Sequence, residues 1–434
     1  MLLAGTVVAD PETVYEEGAV VVDDDEVVAV GPRSEVEDAY ADHPVREFDL
    51  VSPGLIGGHI HSVQSVGRGI ADDTALLEWL SEHVLPMEAS LGREEMRTAA
   101  ELGYLELLES GTTTAIDHLS VHHAESAFEA AIDLGVRGRL GKVMMDKRAP
   151  DGLQEETDEA LSSTRRLLET YHGAADDRIR YAVTPRFAVS CTEACLRGAR
   201  DIADHYDDVR IHTHASENAD EIETVESDTG MRNIAWLDEV GLTGEDVVLA
   251  HCVHTTARER DILEQTGTHV TYCPSSNMKL ASGIAPIVDY LDRGINVALG
   301  NDGPPCNNTL DPFTEMRQAS LLQKVDRLDP EVTPAQVVFE MATLGGARAA
   351  GFENVGALRP GWKADVIALD TDLTRATPLF DPFSHLVFSA HGDDVTFAMV
   401  DGDVVYDDDF GGLQAGDAGD IRRRARAIAD GLRD

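Results

Sequence analysis

A chain of 434 residues with 43% hydrophobic and only 5% aromatic side chains is too long for one ordinary domain. Its interior must be built from Val, Leu, Ile and Ala, as in parallel β/α architecture. The 80 acidic against 35 basic residues give a formal net charge of −45, with only five lysines, which argues against nucleic acid and anionic membranes as partners. The acids run through every segment (DDDEVV, YADHP, ESDTG, DDDFGG), the pattern of a solvated surface adapted to high internal salt. The fold is therefore expected to loosen in low-salt buffer, where self-repulsion is unscreened. A melting curve unchanged from molar to millimolar salt would contradict this.

Residues 1–50 read as short strands separated by turns (LLAGTVVA, GAVVVDD, EVVAVG, VREFDL), and residues 357–415 read alike (GWKADVIALD, VTFAMVDG, DVVYDDD). The two ends are expected to form one composite β-sandwich, with residues 416–434 as a closing helix. The N-terminus lacks a basic start and a long apolar run, so no signal peptide or membrane span is expected. The five cysteines, odd in number and without CxxC spacing, indicate neither a disulfide framework nor structural zinc, and a reducing cytoplasm is the expected compartment.

Residues 51–356 repeat a β-then-α rhythm with eight strand segments: VSPGLIGGHIH, TTTAIDH, VRGRLGKVMM, IRYAVTP, VRIHTH, DVVLAH, THVTYC and NVALGND. Amphipathic stretches such as EEMRTAAELGYLELLES lie between them, so the expected fold is an α/β protein of the (β/α)8 TIM-barrel type. A doubly wound open sheet is the alternative. The polar residues favour the barrel, because strands one, five, six and eight end in His, His, His and Asp, at the rim where barrel active sites form.

His59 and His61 form an H-x-H pair, which the period of two in a strand points to one face. The fifth strand adds His212 and His214, with Glu217 three residues beyond. His214, nearer the rim, is assigned to a metal, and His212 to an inner packing or hydrogen-bonding layer. The sixth strand adds His251, then His254 one short turn later. Asp302 follows an apolar run and is costly to bury unless paired or metal-bound. Three imidazoles and one carboxylate suit a single zinc or iron(II) ion with water in the remaining position. Near neutral pH such an ion supplies an activated water. In that reading Asp302 takes the water's proton, His251 orients the nucleophile, and Glu217 moves a proton to the leaving side of the substrate.

PGLIGGHIHS, HTHASEN, LAHCVH, CPSSNMKLASGIAPI, GINVALGNDG and DPFSHLVFSAHGDDV, in this order, resemble the nucleoside/nucleobase deaminase and chlorohydrolase family of the amidohydrolase superfamily, over essentially the whole chain. The resemblance implies a barrel with a β-sandwich from both termini, one metal ion and a homo-oligomer. It implies His59, His61, His214 and Asp302 as ligands, with His251 and Glu217 as the catalytic pair beside them. LASGIAP and WLSEHVLPMEASL are most similar to methylthioadenosine/S-adenosylhomocysteine deaminases, in which the Glu matching Glu88 contacts ribose hydroxyls. TPRFAVSC instead resembles guanine deaminases, in which the residue matching Arg186 hydrogen-bonds the base and that matching Phe187 packs on it. Glu88 also reads as a solvated helix-start acid, and Arg186 as a rim arginine paired with an acid. Arg148 is expected to face a substrate carboxylate or ribose, while Asn307 and Asn308 read either as base-edge contacts or as turn residues.

The expected activity is hydrolytic deamination of an adenine-type nucleoside: 5′-methylthioadenosine, S-adenosylhomocysteine, 5′-deoxyadenosine or adenosine. A guanine or other aminopurine deaminase and a triazine amino- or chlorohydrolase are the alternatives. A non-catalytic nucleoside-binding protein would be betrayed by less than about one equivalent of transition metal per chain.

Overall fold

A computed structural model describes residues 1–433. Eight parallel strands run in sequence order around a barrel: β1 (Leu55–Ile60), β2 (Thr112–His118), β3 (Arg137–Gly141), β4 (Ile179–Pro185), β5 (Arg210–Ala215), β6 (Val247–His251), β7 (His269–Tyr272) and β8 (Val297–Leu299). The first and last strands meet where Asp302 N donates to His59 O at 3.0 Å, beside a parallel bridge between Ile60 and Asp302. That closure excludes the doubly wound alternative, whose sheet stays open. A (β/α)8 barrel, as expected, forms the body of the protein.

β1, β2, β3 and β6 are buried at every residue, because helices cover the outside of the barrel while side chains fill its interior. Gly300 permits the closure. A Cβ there would stand 2.8 Å from His59 O and 2.9 Å from His59 N, so only glycine lets the eighth strand reach the first. The surrounding helices carry local start and stop signals: Thr256 and Glu259 form a capping box at Ala257–Thr266, which ends on left-handed Gly267.

Strands from both ends of the chain join in one nine-stranded sheet. The junction is Val45–Pro53 paired antiparallel with Val366–Leu369. Leu3, Val20, Val51, Val366 and Phe397 share one buried cluster there. Helix Ala418–Gly431, capped by Asp417, lies on helix Arg93–Glu109, where Arg424 binds Glu101 at 2.7 Å. All five cysteines are buried free thiols. Among the described residues no helix is long and apolar enough to cross a membrane.

Candidate active site and metal centre

The C-terminal ends of β1, β5, β6 and β8 bring His59, His61, His214, His251 and Asp302 to one point of the rim. Backbone strain accompanies this: His251 (φ 73°) and Asp302 (φ 62°) are both left-handed, a conformation that side chains adopt at a cost of about 1–3 kcal/mol and that clusters at functional sites. At Asp302 the turn carries the amide back to β1 and the carboxylate into the barrel mouth.

One donor atom each from His59, His61, His214 and Asp302 lies within 4.8 Å of the others. The hydrogen bonds behind the rings decide what these atoms are. His61 Nδ1 donates to His118 O and His214 Nδ1 to Arg186 O, both at 2.7 Å, and a carbonyl only accepts. Burial pushes both imidazoles well below the usual histidine value, so each ring is neutral and its single proton sits on Nδ1. The two Nε2 atoms, 3.2 Å apart, are therefore lone pairs facing each other. His59 Nε2 is buried with no hydrogen-bond partner among the described residues and lies 3.4 Å from Asp302 Oδ1. Its Nδ1 is held by His212 Nε2 at 3.0 Å, which gives His212 the inner hydrogen-bonding place expected of it. Facing lone pairs, an orphaned imidazole nitrogen and a carboxylate fit a divalent cation bound by three nitrogens and one oxygen, each ring oriented from behind.

Around this cluster stand two groups with displaced protonation. Burial, then the charges of Asp302 and Glu221, push the Glu217 carboxyl well above its usual range. Burial alone would raise Asp302 too, but the imidazoles of His59, His251 and His61 that face it hold its carboxyl well below the usual range. Two neighbouring carboxyls displaced in opposite directions are an arrangement from which an acid and a base can be made. His251 lies between them, its Nε2 3.6 Å from Glu217 Oε2 and 3.8 Å from Asp302 Oδ2, with burial pushing the ring down to about 4.

A narrow cleft opens onto the cluster, lined by Leu76, Trp79, Leu80, Arg186, Phe187 and Glu217 among others. Arg186 and Gln64 line its wall, and buried Glu88 pairs with both of them. Arg186 Nη1 stands 3.4 Å from both Glu88 oxygens, while Gln64 and Ser120 donate to the same carboxylate at 2.8 and 3.2 Å. Both partners are buried, so Glu88 is no solvated helix-start acid, and the paired-arginine alternative for Arg186 describes its geometry. Arg148 is not brought to this cleft. Its left-handed backbone (φ 51°) turns the side chain outward, where it is 43% exposed and binds Asp228 in a bidentate pair. Asn307 ends the one-turn helix Pro304–Asn307 and donates to Asn301 O and Glu315, while Asn308, its left-handed cap, accepts from Lys279.

Several residues at the site escaped the sequence reading. His118, at the end of β2, is fully buried with both ring nitrogens unpartnered among the described residues, its ring 4.8 Å from that of His214. The rule that a strand-terminal histidine faces the rim would have found it. Gln64, Trp79, Ser276 and Asn277 had no such signal.

The Amidohydrolase family pattern matches residues 50–405. The 5′-deoxyadenosine deaminase of Methanothermobacter thermautotrophicus is 42% identical over 360 residues, covering 83% of this chain and 82% of that protein. The 5-methylthioadenosine/S-adenosylhomocysteine deaminase of Desulfitobacterium hafniense is 36% identical over 428 residues, covering 97% and 96%. The crystal structure of an adenosine deaminase from Xanthomonas campestris with bound zinc superimposes with a TM-score of 0.92 at 30% identity, covering 100% of this chain and 98% of that one.

Proposed function

Because the chain belongs to the amidohydrolase family, we propose that it is a metal-dependent aminohydrolase that deaminates an adenine-type nucleoside: 5′-deoxyadenosine, 5′-methylthioadenosine, S-adenosylhomocysteine or adenosine. The observation that carries the reading is the pair of facing His61 and His214 lone pairs beneath a protonated Glu217, at the floor of the cleft. The donor set suits zinc, with iron(II) the alternative. When bound, such an ion supplies Lewis-acid activation of water near neutral pH.

The chain's own groups divide the proton traffic. Asp302, held ionised, accepts the proton that the attacking water loses as its oxygen bonds to the amino-bearing ring carbon. Glu217 gives its proton to the adjacent ring nitrogen, so the ring accepts the electron pair of the broken π bond. His251 holds the nucleophile through its Nε2–H. Asp302 passes the proton it took to the amino group, which leaves as ammonia, while the new hydroxyl returns a proton to Glu217 and the carbon becomes a carbonyl.

Phe187 and Trp79 offer apolar faces to the purine. Glu88 and Arg186 act as one unit, since neither moves without unpairing the other inside the wall. The sequence set a ribose contact at Glu88 against a bare-base contact at Arg186. Their pairing makes the two compatible with a single nucleoside, the carboxylate toward the sugar and the guanidinium toward the base.

Ammonia release from adenosine, its 5′-modified analogues, guanine and ammeline tests the substrate. The 5′-modified adenosines are expected to react, and Glu88→Ala to lower their kcat/KM by roughly 10²-fold, the scale of breaking a buried ion pair at a positioning wall. Turnover of guanine alone would transfer the assignment to the base deaminases. No ammonia from any of them with metal bound would remove deamination itself.

A further inference from the structure

The stretch from Ser276 to Ser282 touches all three groups given proton-handling work. Ser276 Oγ donates to Asp302 Oδ2 at 2.6 Å, Asn277 Nδ2 lies 3.0 Å from His251 Nδ1, and Ser282 Oγ donates to Glu217 Oε1 at 3.4 Å. All three residues are buried. The stretch is anchored at both ends. Helix Pro274–Lys279 starts directly after β7, and the Asn277 carbonyl accepts Ser282 N at 2.8 Å, folding the segment back toward the rim. His254 closes the far end, its Nε2 2.6 Å from Ser282 O.

The contact at Asn277 decides which nitrogen of His251 carries the proton. His251 Nε2 faces Glu217 Oε2 and Asp302 Oδ2 and has no hydrogen-bond partner among the described residues, so the proton of the neutral ring belongs on Nε2, toward the Asp302 carboxylate. Nδ1 is then a lone pair, and only the NH2 end of the Asn277 amide satisfies it. The Asp302 carboxylate in front of the ring thereby sets the orientation of the amide behind it. Histidines whose working nitrogen is set by a bond to the other one behave in this way.

We propose that Ser276, Asn277 and Ser282 form a positioning segment, with Asn277 fixing the tautomer and ring plane of His251 while the two serines fix the carboxylates of Asp302 and Glu217. The inference rests on the roles assigned above to His251, Asp302 and Glu217. None of the three positioning side chains touches the reacting atoms. Each acts through the group it holds, so each should lose its importance when that group is removed.

A double-mutant cycle with metal-replete protein and 5′-deoxyadenosine tests this. Asn277→Leu is expected to lower kcat by about 10–100-fold, with KM changed by about twofold or less and metal content unchanged. In a His251→Asn background the same change should cost nothing further, because the group it positions is gone. An unchanged kcat in Asn277→Leu overturns the proposal, as does an equal loss in both backgrounds, the mark of general damage. Should Asn277→Leu fold poorly, Ser282→Ala with Glu217→Gln gives the parallel cycle. A second readout is independent of turnover. In 15N-histidine-labelled, zinc-loaded protein, the His251 signal, assigned by its loss in His251→Asn, should show a protonated Nε2 and a bare Nδ1. The opposite tautomer refutes the inference. Full activity in His251→Asn would instead strike the underlying role of His251, a result visible before the cycle is completed.

Discussion

Glu217→Gln is expected to cut ammonia release by about 10²–10⁴-fold while roughly one equivalent of metal stays bound, the range general acid catalysis contributes. The substitution keeps the size and the hydrogen-bonding end of the side chain but removes the transferable proton. Glu217 holds that proton because it is buried beside two other acids, Asp302 and Glu221. Glu221 also fixes where the proton is delivered from, since its carboxylate accepts Glu217 N at 2.6 Å and so pins the backbone that carries the acid. The loss should fall on kcat, because protonation of the ring matters in the transition state and little in ground-state binding. Steady-state rates together with metal analysis check this. Near-wild-type kcat in the metal-loaded variant would take the general-acid role away from Glu217.

Stripping the metal with a chelator is expected to abolish activity and to lower the melting temperature by several degrees, with both restored by adding zinc. The stabilisation follows from binding to the folded state alone: free ion at a thousand times its dissociation constant contributes about 4 kcal/mol. The structure adds a local reason. Without a cation, His61 and His214 are left with lone pairs facing each other at 3.2 Å, and His59 Nε2 with no partner, all inside a buried cluster. The stripped protein therefore meets a repulsion that the loaded one does not. A melting temperature indifferent to chelation, in a sample shown to have lost its metal, would contradict the assignment of this cluster as the metal centre.

How much of this was legible in the sequence depended on whether the signal was local. The period of two in a strand made His59 and His61 readable as a pair, and the apolar run before Asp302 marked it as a buried acid at a strand end. The eight strands, in order, were readable because each parallel strand is a short apolar run. His118 escaped because TTTAIDH holds a lone histidine with no second member to pair with. The Glu88–Arg186 contact spans 98 residues of chain, and no local pattern links the two. They looked like competing clues to two substrates until the barrel brought them together. Arg148 misled for the opposite reason. Its position beyond the third strand was right for a site residue, but its left-handed backbone, invisible in the letters, sends it outward to Asp228. The segment SSNMKLASG was visible only as a family likeness, since its work lies in three contacts to other strands.

The join between the first and last barrel strands has a further consequence. Asp302 N bonds to His59 O at the spot where the side chains of both residues meet, His61 follows directly on the first strand, and His214 comes from the fifth. A nascent chain thus has no complete set of donors until its eighth strand has been made and seated. An incomplete or misregistered barrel would hold the ion weakly, and its stabilisation would be missing where the structure is weakest. Tight retention of the ion accordingly reports that the ring has shut, so one chemical event serves as both the readiness of the site and the proofreading of the barrel.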